Sequence, residues 1–196
     1  MMKHFPKEFD ALPSGVAAKR VKTSRATEAE LTQIYPKFAA SLTQHIAPLE
    51  ICEFIRRRHR DNFWSITDRR NQALIGIYGM AMLTAEGHAA LVQGEFEASK
   101  PQLGHVAATA EQVSAIYKWG VYAPKLAAAA IPLIAQHLTT QEYRDLDLYG
   151  TGSTEAGRRI MESVGFFQVS DPRTPQLYRY ERLGRRGLYE ITRYSL

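Results

Sequence analysis

The chain has 196 residues, 45% hydrophobic and 23% charged, which are the proportions of a soluble globular protein long enough to bury a core. A formal charge of +5 fits a phosphate-bearing ligand but falls short of a nucleic-acid-binding signature. The single cysteine, Cys52, excludes an intrachain disulfide, no apolar run is long enough to span a bilayer, and residues 1–13 lack a signal-peptide core, so a reducing, cytoplasmic setting is expected.

Residues 1–14 read as an N-terminal arm closed by Pro13-Ser14-Gly15, and residues 15–196 as one domain. A first strand is expected over residues 16–24. Thr27 with Glu30 forms a capping box, and Leu31, Ile34, Tyr35, Phe38 and Leu42 repeat behind it at helical spacing. Pro36 lies inside that pattern, so a kink or a break is expected there. Pro48 opens a second helix carrying Leu49, Ile51, Cys52, Phe54 and Ile55, which ends in Arg56-Arg57-Arg58-His59-Arg60. Such a basic run reads either as a phosphate patch or as a solvated last turn that complements the helix dipole, and the second is the commoner case.

Residues 63–67 suit a short strand, and the nearly continuous apolar run 73–84 suits a central strand buried on both faces. Gly76 and Gly79 within it mark a bulge or a close backbone neighbour. Ala85-Glu86-Gly87-His88 reads as a turn and residues 89–93 as a short returning strand. Residues 94–110 have little periodicity and form a candidate substrate loop. Residues 114–122 are a strand that feeds the alanine-rich stretch Ala123-Pro124-Lys125-Leu126-Ala127-Ala128-Ala129-Ala130. Pro132 belongs in a first helical turn, so a helix is expected from about Ala130, with residues 124–129 as loop; one kinked helix from Lys125 is the competing reading. A small-residue loop feeding a helix start is a place for an anionic ligand. Leu146-Asp147-Leu148-Tyr149 is a further strand. The last helix is capped by Ser153 or Thr154 and stops at Gly165, which suits the left-handed position, with Phe166 as the contact that follows. Residues 166–169 and 176–180 are expected to pair as a hairpin, and 183–196 are a basic, aromatic tail.

From residue 114 to about residue 180 the sequence resembles the GCN5-related N-acetyltransferase (GNAT) superfamily. The residues that carry this are Trp119-Gly120-Val121-Tyr122-Ala123-Pro124 with the loop and the helical residues 131–138, then Leu146-Asp147-Leu148-Tyr149 and the helix ending Ser163-Val164-Gly165-Phe166. The resemblance implies an α/β (α+β) fold with a mixed, mostly antiparallel central sheet flanked by helices. It implies acetyl-CoA or another acyl-CoA as co-substrate and transfer to a small-molecule or peptide amine, with a homodimer as an allowed assembly. By the same resemblance Trp119, Val121, Lys125, Ala127, Ala128, Ala129, Ala130, Ile131 and Thr154 are the cofactor-binding positions. The chain departs from the family pattern in four places, one of them the stretch Tyr117-Lys118, which has no carboxylate where a glutamate base is frequent. Alanines stand where the R/Q-x-x-G-x-G/A loop has glycines, Met161 where a tyrosine acid is frequent, and Thr154 where an asparagine is frequent.

Acyl transfer needs a polarised carbonyl, a deprotonated amine and a leaving thiolate. A backbone N–H near Val121 is a candidate for the first task. Tyr117, Tyr122 and Tyr149 are candidate acids by location, although each is also an ordinary packing aromatic of a strand. Glu95, Glu97 and His105 are candidate bases, and Lys118 beside Tyr117 brings no carboxylate. His88, His105 and His137 are too scattered for a metal site. Ser153 lies in no G-x-S-x-G frame, and Gly150-Thr151-Gly152 lacks the lysine of a phosphate-binding P-loop. The alternative is a non-catalytic protein of the same fold, working as a binding or regulatory module with a degenerate CoA loop. A relative that takes acyl chains from a carrier protein is a third, weaker reading.

Overall fold

In the computed structural model, which describes residues 9–12, 15–41 and 47–182, seven strands form one sheet. They are β1 (Val21–Arg25), β2 (Phe63–Asp68), β3 (Leu74–Leu83), β4 (Ala115–Tyr122), β5 (Leu148–Thr151), β6 (Phe167–Gln168) and β7 (Leu177–Tyr180). Their order across the sheet is β1-β2-β3-β4-β5-β7-β6. Every neighbouring pair is antiparallel except β4 and β5, which run parallel. This is the mixed, mostly antiparallel sheet that the family resemblance implies.

Side-chain alternation along β3 and β4 sends the two halves of the core to opposite faces. One face buries Tyr78, Met80, Met82 and Ile116 beneath α4 (Ile131–His137) and α5 (Glu155–Ser163). The other face buries Phe63, Ile77, Ala81, Leu83, Ala115 and Tyr117. It is covered by α1 (Glu28–Ser41), α2 (Leu49–Arg58) and α3 (Ala85–Gln93). Phe9 of the N-terminal arm is itself core, edge-on to Phe166 at 5.7 Å between ring centroids.

Several local expectations hold. The Thr27–Glu30 box closes as drawn, with Glu30 N–H donating to Thr27 Oγ1 at 3.2 Å and Thr27 N–H donating to Glu30 Oε2 at 2.8 Å. The hairpin β6–β7 forms, and Gly165 takes a φ of 93° just past α5. The basic run at the end of α2 is largely engaged by the protein. Arg56 pairs with Glu53 and Glu28, Arg58 donates to the Val106 carbonyl, and Arg60 pairs with Glu142.

Four expectations are corrected. Residues 16–20 are a 3-10 helix, and the strand begins only at Val21. Pro36 neither breaks nor ends α1, because Leu31, Ile34 and Phe38 on either side of it are buried as one stripe. Residues 85–93 are a helix and not a turn and strand. Thr84 Oγ1 accepts from Gly87 N–H at 3.1 Å at its start, and Gly94 closes it with a φ of 79°. The fourth is the alanine stretch, residues 125–130, which is a 3-10 helix and not a loop. Leu42 and residues 183–196 lie outside the described residues.

One buried polar junction ties the two faces together. Asp61, fully buried, accepts from Tyr143 Oη at 2.6 Å and from Arg25 Nε at 2.9 Å, with Arg60 Nε at 3.4 Å. His137 Nε2 stands 3.6 Å from the same carboxylate, beyond hydrogen-bond length. Burial alone would raise the Asp61 pKa. The interactions with His137, Tyr143 and Arg25 overcome it and hold the carboxyl well below its ordinary range.

Candidate active site

The parallel pair β4–β5 is short. Ile116 faces Leu148, Tyr117 faces Tyr149, Lys118 faces Gly150, and there the pairing ends. β4 runs on to Tyr122 bonded to β3, and β5 ends at Thr151 bonded to β7. Past Lys118 and Gly150 the two strands are therefore not paired with each other, and β4 from Trp119 onward has no strand partner on that side; this parting of the strands is the candidate cleft. The cause is local. Gly79 pairs with Gly120 and Met80 with Lys118, so Trp119 is an extra residue that bulges β4 at the point of parting. Gly120 is required there, since a Cβ would lie 2.5 Å from Phe38 Cζ of α1.

The closed end of the cleft has two different faces. On the α3 side Tyr117 and Tyr149 lie side by side. Tyr117 Oη shares a hydrogen with Thr151 Oγ1 at 2.8 Å, and Tyr149 Oη meets His88 Nε2 at 2.9 Å. Burial raises both phenol pKa values, with the Thr151 bond offsetting part of the first and Arg179 part of the second. Burial lowers that of His88. Both tyrosines are thus held as protonated groups.

On the α5 side stands Lys118. Its Nζ donates to Met161 Sδ at 3.7 Å, and a Cβ at position 150 would lie 3.2 Å from its Cε, so Gly150 makes the room. No carboxylate pairs with Lys118 among the described residues. Desolvation by burial lowers its pKa. Sequence reasoning met Lys118 only as the residue next to Tyr117. The available signal was a lone cation inside a strand, residues 115–122, that is otherwise apolar or aromatic.

The remaining site candidates are placed as follows. Trp119 is partly buried, edge-on to Phe63 at 5.6 Å, and donates from Nε1 to the Ala98 carbonyl at 2.8 Å. That bond closes the segment after α3 over the cleft wall. Val121 and Ile131 each pack against the core on the α4 side, and Tyr122 packs on the α1–α2 side. Thr154 caps α5, its Oγ1 accepting from Gly157 N–H at 3.0 Å. Glu95 and Glu97 are exposed. His105 is buried, with Nδ1 lacking a hydrogen-bond partner and Nε2 at 3.9 Å from Glu86. The tyrosines 117 and 149 are brought together with Lys118 and Trp119 at the cleft; Glu95, Glu97 and Tyr122 have no bond to that group.

The alanine stretch is not the loop expected over residues 124–129; it agrees with the competing reading of one helix from Lys125, its first part in 3-10 form. Residues Lys125–Ala130 form a 3-10 helix that continues directly into α4. Ala127 N–H donates to the Pro124 carbonyl at 3.0 Å, and Ile131 N–H donates to the Ala128 carbonyl. The methyls of Ala127 and Ala130 are fully buried with Val21 and Ile66. Gly76 admits them, since a Cβ there would lie 2.9 Å from Ala127 Cβ. Ala127 and Ala130 are thus packing residues, and the amides of the segment are largely spent inside the helix. What faces outward is its first turn, with Lys125 exposed at a φ of 49°, a left-handed conformation unusual for lysine.

No family model and no curated protein matches the sequence. Among solved structures, a chain of the NatB acetyltransferase complex bound to CoA and MES matches 81% of this chain and 95% of its own length. The TM-score is 0.50 and the identity 10%. The fold is GNAT-like. At that identity the likeness is one of architecture: a mixed sheet with one parallel pair at its centre and helices on both faces. Among the described residues no helix is long and apolar enough to cross a membrane, and no group of three or more His, Cys, Asp and Glu side chains is gathered to hold a metal.

Proposed function

We propose that this protein is an acyl-CoA-dependent N-acyltransferase that moves an acyl group, in the simplest case acetyl, to a primary amine. The observation that carries the reading is the parting of β4 and β5 after Lys118 and Gly150. An open strand edge with a bulge at its root offers backbone donors and acceptors to an extended, amide-bearing chain, which is the chemistry of a pantetheine arm. A backbone N–H near Val121 is then positioned to polarise a thioester carbonyl. The diphosphate end fits less closely: the first turn of residues 125–130 and the Lys125 ammonium are what remain for it.

A second reading has its own support. The spent amides of the alanine segment, and Met161 where a proton donor is frequent in the family, favour a binding module without turnover. Calorimetry with CoA and acetyl-CoA, followed by free-thiol release in the presence of a polyamine and of a peptide amine, separates the two. Binding with thiol release is the expected result. A ligand at 100 times its dissociation constant adds about 2.7 kcal/mol of stability, a shift readily seen on melting. Binding without release selects the module, and no binding of either nucleotide overturns the acyl-CoA reading.

A further inference from the structure

We propose that Lys118 is the proton-transfer group of this site, its side-chain amine taking a proton from the attacking amine and returning it to the departing thiolate. The inference rests on the acyltransferase reading above and names a residue for the step that reading leaves open.

Position comes first. Lys118 is the last residue of β4 that pairs with β5, so its side chain sits where the cleft closes. Across the strand its partner is Gly150, which presents no side chain, and on β3 its partner is Met80, which is apolar. Its Nζ has one hydrogen-bond partner among the described residues, the Met161 thioether. A thioether accepts weakly and neither gives nor takes a proton, so Met161 aims the amine without competing for its chemistry.

The charged and titratable groups of the surrounding elements are engaged elsewhere. On α5 Glu155 pairs with Arg159, Glu162 accepts from Tyr178 Oη of β7, and Arg158 donates to the Gly152 carbonyl. At the start of β5 Asp147 is taken by Arg179 and by the Arg182 backbone N–H. Nothing on these elements compensates an ammonium at Lys118, and burial lowers its pKa from the ordinary lysine value. On the other face Tyr117 and Tyr149 are bonded to Thr151 and His88 and are held protonated, which leaves them unable to act as bases.

The step balances with one group. The acceptor nitrogen forms its bond to the acyl carbon and gives its extra proton to Lys118 Nζ. The carbon–sulfur bond then breaks, and the ammonium so formed returns that proton to the thiolate. The products are an amide and a free thiol, and Lys118 ends neutral, ready for the next turn.

The test has two readouts. With 13C in the lysine side chains, the Lys118 Cε resonance, assigned by its loss in Lys118→Met, is followed against pH with and without acetyl-CoA. The expected result is a titration well below that of the other lysines and a displacement of the resonance when acetyl-CoA binds. Titration together with the other lysines overturns the proposal. Thiol release from acetyl-CoA, to water and to propylamine, is then compared between wild type, Lys118→Met and Lys118→Arg. Both variants are expected to bind acetyl-CoA within two-fold of wild type and to release thiol about 100-fold more slowly, with the rising limb of the pH–rate profile gone. A variant that binds and reacts like wild type sinks Lys118 alone. A wild type that does not bind acetyl-CoA, or releases no thiol above background, sinks the acyltransferase reading and this proposal with it.

Discussion

Asp61 is fully and Lys118 partly withdrawn from water, and the protein treats them in opposite ways. Asp61 is surrounded by Arg25, Arg60, His137 and Tyr143, and its charge is over-compensated. Lys118 has a thioether and no counter-charge among the described residues. The first arrangement joins β1, β2 and the segment after α4, and removing it leaves partners stranded. The second adds nothing to stability, since burying an uncompensated amine costs free energy. A buried charge that is fully paired belongs to the architecture. One that is left bare, at the end of a cleft, is a candidate for chemistry.

The largest expected effect is at Asp61. Asp61→Ala should cost about 3 kcal/mol in denaturant unfolding at neutral pH, the low end for breaking a buried pair, because Arg25 and Arg60 are near the surface and can be rehydrated. The same residue sets an acid limb. Its folded pKa lies below its unfolded one, so its contribution is complete above the ordinary carboxylate range and is lost as pH falls through and below about 4. The variant should lack that part of the acid loss. An unchanged acid limb would break the contrast with Lys118.

Gly120→Ala tests the cleft without touching Asp61. The added methyl meets the buried Phe38 ring, and a loss of about 2 kcal/mol is expected, with most of it restored by Phe38→Leu in the same chain. A fully additive double mutant would mean that the bulge is not held by that contact.

Lys118→Met should leave stability at neutral pH unchanged or higher. The sign on the alkaline side is distinctive. The folded pKa is depressed, so between it and about 10.4 the unfolded chain holds the extra proton and wild-type stability rises with pH. The variant should lose that rise. Destabilisation by the methionine would show that Lys118 has a partner of structural value.

The smallest effect is at Lys125. Lys125→Gly relieves the left-handed backbone and should gain about 0.5 kcal/mol, net of the entropy glycine adds to the unfolded chain. If Lys125 is the cation for a diphosphate, CoA affinity falls in the same variant while dephospho-pantetheine affinity does not.

Much of the fold was legible in local pattern. The run 74–83 announced a central strand through its apolar continuity, Thr27 and Glu30 announced a helix start, and Gly165 with Phe166 announced a helix end. Each of these is settled by neighbours within a few residues. Helix α3 was missed because residues 85–93 are short and alanine-rich, and its identity rests on a cap at Thr84 and a left-handed glycine at 94 that are weak signals singly. Of the candidate site, Tyr117, Tyr149 and Trp119 were found by their strands, whereas Lys118 was passed over. Its meaning depends on Met161 lying above it and Gly150 beside it, 43 and 32 residues further along the chain.

By itself the amino-acid sequence determined the start of α1 at its capping box, the end of α5 at Gly165 and the apolar continuity of the central strand, while the class of sheet came through the family resemblance. Only the tertiary structure decided where β4 and β5 part, that Ala127 and Ala130 are buried in the core, and which charge is paired. Periodicity and capping are short-range properties of a chain. Pairing and desolvation are set by groups brought together from distant positions, and no spacing within one strand reveals them.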